Sequence, residues 1–147
     1  MDRVKLSVEL FESGYNCAQA VVGAYSDLFG VDPKDAVKMI EGFGGGMGRM
    51  RLTCGAVSGM VMLCGLKYSK GEAKDTETRT LIYETVRKVS SEFEKKNGTI
   101  VCRELLGKLA SEKEEAKPSD RTEEYYKVRP CARYVADCAK LVEEFLL

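Results

Sequence analysis

Residues 54 to 68, CGAVSGMVMLCGLKY, constrain the fold more than any other stretch of this 147-residue chain. Lys67 is their one charged residue, and apolar or small side chains stand at every helical phase. A helix without a polar face has nothing to offer water and belongs at the centre of a bundle. Gly55, Ala56, Ser58 and Gly59 keep its first turns slim, so neighbouring helices can pack against it closely. Thr53 reads as its N-cap.

The flanking stretches supply amphipathic partners. Val4, Val8 and Phe11 share one face of a helix over 3–12, and Gly14 is its stop. Asn16 caps a helix from about Cys17 to Phe29, with the stripe Cys17, Ala20, Val21, Ala24, Tyr25 and Leu28. Asp32-Pro33 opens a short helix over 33–40. A long helix runs from about Asp75 to Lys96 with Leu81 or Ile82, Val86, Val89 and Phe93 inward, and Asn97-Gly98 closes it. Thr99 caps a short helix that bears Cys102 and stops at Gly107. The last helix begins at Pro130 with the stripe Cys131, Tyr134, Val135, Cys138, Val142 and Phe145. The charged run 111–120, SEKEEAKPSD, reads as an exposed, mobile loop. No segment alternates as a strand would. The expectation is an all-α, single-domain helical bundle over 1–147, of about five to seven helices with 54–68 buried at its centre.

Charge and hydropathy narrow the function classes. Basic and acidic residues number 23 each, so no net charge draws the chain to nucleic acid or an anionic membrane. MDRVKLSVELFES lacks the apolar core of an export signal, and no apolar run approaches the ~20 residues of a membrane span. The expectation is a cytoplasmic protein. Met60, Val61 and Met62 make the central helix more apolar than one small bundle hides, which points to a homodimer.

Six cysteines without an export signal read as reduced thiols, metal ligands or redox centres. Histidine is absent. That removes the usual partner of a nucleophilic cysteine and every mixed Cys/His zinc site. Cys17, Cys54, Cys102 and Cys131 all fall in the first turn of an expected helix, where the positive end of the dipole favours an anion and lowers a thiol pKa. Cys64 and Cys138 lie mid-helix among apolar neighbours and read as small buried hydrophobes. The four first-turn positions are separated by 37, 48 and 29 residues, which excludes a CxxC redox motif or zinc ribbon.

The run GFGGGMG, 42–48, precedes Cys54. It fits neither a Walker A loop nor GxGxxG. Gly44, Gly45, Gly46 and, further on, Gly55 are candidates for close backbone approach to a cofactor or anion, with Arg49 and Arg51 beside them. The alternative is a tight connection between two helices.

In this order the segments GYNCAQAV, GFGGGMG, CGAVSG, VCRELLG and RPCARYV resemble the redox-active-protein family named for its C_GCAxxG_C_C pattern, over nearly the whole chain. The resemblance implies four family cysteines, at Cys17, Cys54, Cys102 and Cys131, and names no substrate. Three functions stay open. The first is thiol–disulfide chemistry of the oxidoreductase type with an unknown redox partner, Cys54 attacking and Cys17, Cys102 or Cys131 resolving. Arg49, Arg51, Arg103 and Arg129 are sequence neighbours of the thiols. The second is an iron–sulfur cluster or zinc held by the same four cysteines. The third is a partner-binding helical domain with inert thiols.

Overall fold

The computed structural model describes residues 1–110 and 114–147. Six helices of eight residues or more carry the architecture: Arg3–Glu12, Cys17–Tyr25, Pro33–Ile40, Gly55–Tyr68, Thr76–Asn97 and Cys131–Leu146. Short helices cover Cys102–Leu106 and Glu123–Val128, and 3-10 turns cover Ser26–Phe29, Glu41–Phe43 and Gly107–Leu109. Among the described residues the only β pairing is an isolated bridge between Thr53 and Val101. The fold is all-α.

The Gly55–Tyr68 helix sits at the centre, packed by the Cys17–Tyr25, Thr76–Asn97 and Cys131–Leu146 helices. Its small residues act as the sequence implies. A Cβ on Gly59 would stand 2.8 Å from the Ala18 carbonyl oxygen, so only glycine lets these two helices come this close. Ala18, Val21, Val22, Tyr25, Met60, Leu63, Phe93, Val135 and Val142 form the fully buried core between them. Val61 and Met62 are half-buried beside an apolar groove that Met39, Phe43, Val86 and Ile100 also line.

Polar contacts tie the perimeter together. Asp137 is buried on the C-terminal helix and pairs with Lys96 at 2.7 Å and with Asn97 Nδ2 at 3.3 Å, anchoring the end of the long helix. The buried Tyr25 hydroxyl donates to Glu143 Oε2 at 2.9 Å. Burial, reinforced by that carboxylate, raises the tyrosine's pKa well above its ordinary value.

Several local expectations change. The Cys17 helix leaves α geometry at Tyr25 and tightens into a 3-10 turn, so Leu28 is exposed instead of continuing the stripe. Ile82 is half-buried and Leu81 exposed, which resolves that alternative. Glu123–Val128 is too short to show a helical period, although Thr122 Oγ1 caps it by accepting from Tyr125 N–H. Residues 111–113 of the charged run lie outside the described residues. Residues 115–118 and 120 are exposed as expected, but Glu114 is not: its side chain is only 7% exposed and is clamped by two arginines.

Candidate functional site

Four first-turn cysteines converge on one chamber, and the glycine run builds its floor. From Gly45 to Arg49 five consecutive residues have φ between 59° and 71°, and Arg51 adds a sixth left-handed residue at 60°. A left-handed turn of this length is rare, because each L-residue with a Cβ costs about 1–2 kcal/mol there. Met47, Arg49 and Arg51 bear that cost. Hydrogen bonds from Gly48 N to Gly42 O, Arg51 N to Gly45 O and Leu52 N to Gly46 O hold the turn, at 2.8–3.2 Å.

The turn brings distant segments into register. Cys54 N–H donates to Ile100 O at 2.8 Å, and Cys102 N–H donates to Leu52 O at 2.5 Å, so Cys54 and Cys102 lie on paired backbones. Gly46 makes this possible: a Cβ there would fall 2.7 Å from the Cβ of Cys102 and from the Leu52 nitrogen. Gly55 does the same for Cys17, whose sulfur would be 2.5 Å from an added Cβ. Gly44 rests on the Asn16 amide, and Asn16 Nδ2 donates to Glu41 O at 3.0 Å. Asn16 also forms a full capping box with Gln19 and so fixes the helix start at Cys17. The space beside Gly44, Gly46 and Gly55 is thus filled by the protein's own atoms. A Cβ on Gly45 would likewise meet Arg49 Cγ at 2.7 Å; Gly45 and Gly55 both line the chamber.

Cys17, Cys54, Cys102 and Cys131 line this chamber of ≈ 60 Å³ together with Arg51, Tyr125 and Tyr134. Cys17, Cys102 and Cys131 are the first residues of their helices. Cys54 is itself the N-cap of the central helix, in place of Thr53, which pairs instead with Val101. Thr99 does not cap Cys102's helix either: its hydroxyl accepts from Val101 N–H. Cys64 and Cys138 are fully buried mid-helix and do not line the chamber. All six thiols are free.

Burial overturns the expectation of lowered thiol pKa values at Cys17, Cys54 and Cys131. Burial raises Cys17, against the N–H of Gly45, which favours its anion. Cys54 is raised strongly by burial and by charge on Cys17, although the N–H groups of Ala56 and Val57 oppose this. Cys131 is pushed up to about 12 by burial and by Cys17 and Cys102, with Arg129 and Arg51 pulling the other way. The helix ends do favour thiolate, as their backbone dipoles must. Desolvation outweighs them.

Cys102 differs from the other three in having a cation on its sulfur. Arg51 Nη1 lies 3.7 Å from Cys102 Sγ, while Arg51 Nε binds Glu114 Oε1 at 3.0 Å. The guanidinium is 6% exposed. Arg49 Nη2 binds the other oxygen of Glu114 at 3.0 Å. Glu114 was invisible as a site residue in sequence, because it sits inside a run of like residues that reads as solvated. Arg121, Tyr125 and Asn16 were missed as well. Only their three-dimensional position marks them, though Asn16 was legible as a cap.

An all-α bundle with four helix-start thiols around one chamber defines a cysteine-centred helical protein. Residues 15–145 match the family described as "Putative redox-active protein (C_GCAxxG_C_C)", and the chain belongs to that family. No curated protein and no solved structure matches it. Among the described residues, no group of three or more Cys, Asp or Glu side chains is arranged to hold a metal ion. No helix among them is long and apolar enough to cross a membrane.

Proposed function

We propose that the protein is a two-electron thiol–disulfide redox protein, with Cys102 as the attacking thiol. The observation that carries this reading is the Arg51 guanidinium on Cys102 Sγ inside a chamber lined by three further thiols. Positive charge beside a sulfur supports its anion, and the thiolate is the nucleophile. This moves the attacking role from Cys54, which is buried and raised, to Cys102. Cys17 is taken as the resolving partner because it lines the same chamber, and Cys131, which lines it too, is the alternative.

The chemistry balances as ordinary exchange. The Cys102 sulfur attacks one sulfur of a disulfide RSSR, the S–S bond breaks, and one RS⁻ leaves and takes up a proton. Cys17, losing its own proton, then attacks the mixed disulfide and expels the second RS⁻, which is protonated in turn. Two thiols of the protein are oxidised to a disulfide, and RSSR is reduced to two RSH.

The four sulfurs around one chamber also favour a second reading, an iron–sulfur or zinc centre with Cys17, Cys54, Cys102 and Cys131 as ligands. Ligation would displace the thiol protons that burial now holds, and the ligand side chains would have to close in from their present positions.

One anaerobic preparation tests both, by metal content, acid-labile sulfide and free thiols before and after treatment with uncharged hydroxyethyl disulfide. The redox reading expects a metal-free chain that cycles reversibly between all six thiols and two fewer, and that stops cycling in Cys102→Ser. Stoichiometric metal lost on Cys54→Ser would replace it with the metal reading. Inert thiols without metal would leave the partner-binding domain.

A further inference from the structure

A second cavity, of ≈ 230 Å³, opens beside the cysteine chamber and shares Asn16, Gly45, Arg51, Arg121, Tyr125 and Arg129 with it. Arg49 joins Arg51, Arg121 and Arg129 on its wall, so four arginines and one carboxylate residue, Glu41, line one space in a chain of zero net charge. Glu114 neutralises part of this through Arg49 and Arg51. Arg121 and Arg129 have no carboxylate partner among the described residues.

Both are nevertheless held in place. Arg121 donates to the carbonyls of Phe11 and Tyr15 at 3.2 Å and lies over the ring of Tyr125 at 4.9 Å. Arg129 lies over the same ring at 5.1 Å. Two ordered cations against one aromatic ring, neither paired with a carboxylate among the described residues, beside a cavity that adjoins the cysteine chamber, make a ready site for a small anion.

We propose that this cavity binds a small organic disulfide or thiol that carries carboxylates, through Arg121 and Arg129, and so delivers its sulfur to the cysteine chamber. The proposal rests on the redox reading for the purpose of the site, but the binding step needs no thiol chemistry. In that step the carboxylates replace water on the two guanidiniums. The exchange that follows is the one balanced above, with RSSR the anionic disulfide.

S-methylglutathione, a carboxylate-bearing thioether that cannot exchange, separates the two claims. Its binding to the reduced full chain is followed by calorimetric titration at low salt and again with added sodium chloride. Saturable binding that weakens with salt is expected, and losing a charge-assisted contact in Arg129→Gln should weaken it roughly tenfold or more. Arg121→Gln should do the same, and far-UV circular dichroism confirms that each variant is folded. The remote, exposed Lys140→Gln serves as a surface-charge control and should bind as the parent does. Absence of saturable binding, or equal affinity in Arg129→Gln, would overturn the site. Equal affinity for sulfate alone would overturn the organic ligand and leave an inorganic-oxyanion pocket. The redox reading stands or falls separately, on thiol loss with hydroxyethyl disulfide.

Discussion

At the scale of single residues, the site is governed by a contest between desolvation and local charge. Arg51 is the decisive side chain. Arg51→Gln keeps a donor but removes the charge from Cys102, and should slow oxidation of the chamber by an uncharged disulfide about tenfold. The rate of thiol loss, with fold checked by circular dichroism, measures this; an unchanged rate would remove Cys102 from the attacking role. The buried thiols also make stability depend on pH. Cys64 is raised to about 11 and Cys131 to about 12, both chiefly by burial. In the unfolded chain such thiols ionise near their ordinary values of ~8.5. Between those limits the unfolded state binds fewer protons than the folded one, so stability is full below about pH 8.5 and falls as pH rises toward 11–12. Urea unfolding under reducing conditions at pH 7.5 and 9.5 should show the loss, and Cys64→Ala should shrink it. The cysteines of the site were readable from sequence because helix starts leave caps such as Asn16 and Pro130. The raised pKa values of Cys17, Cys54 and Cys131 were not, because burial is a property of neighbours.

At the scale of elements, the left-handed turn is the feature that sequence announced without describing. Five glycines between 42 and 48 signalled unusual backbone. That Met47, Arg49 and Arg51 follow the glycines into the same conformation has no local signal; Arg49 and Arg51 are held by Glu114, and Arg51 also by Cys102 and the paired backbone at 103. The turn predicts an ordered set of effects. Gly46→Ala meets backbone and Cys102 at 2.7 Å and should destabilise by roughly 2 kcal/mol or more, disturbing Cys102 reactivity as well. Gly48→Ala has open space around it and should cost only about 1 kcal/mol, from its φ of 59° alone. Met47→Gly should have the opposite sign and stabilise by up to ~1 kcal/mol, since the exposed Met47 pays strain for little burial. Chemical denaturation of the three variants ranks them; equal losses at Gly46 and Gly48 would contradict the close approach. The 3-10 turn at Ser26–Phe29 teaches the same limit, because a stripe extrapolated at the α-helical period fails once the pitch changes.

At the scale of the whole molecule, the central helix was legible because a segment without a polar face has one place to go. Its partners were legible too, through their periodic stripes. The Glu123–Val128 helix and the clamp by Glu114 were not, since one is shorter than its own signal and the other depends on two arginines more than 60 residues away. The Lys96–Asp137 pair holds the long helix to the C-terminal one, and Lys96→Met should lower stability by about 1–2 kcal/mol by leaving a buried carboxylate with Asn97 alone. Thermal unfolding measures it. The left-handed turn has one more consequence. Glycine-rich connections ordinarily behave as hinges, elastic in length and forgiving of insertion. Here each carbonyl from Gly42 to Gly46 that receives an amide five or six residues on fixes the count of residues between the Asn16 cap and the Leu52–Cys102 pairing. The run is a ruler. Deleting or adding a single glycine should misalign Cys17, Cys54 and Cys102 with one another, so its length, more than its softness, is what the chamber requires.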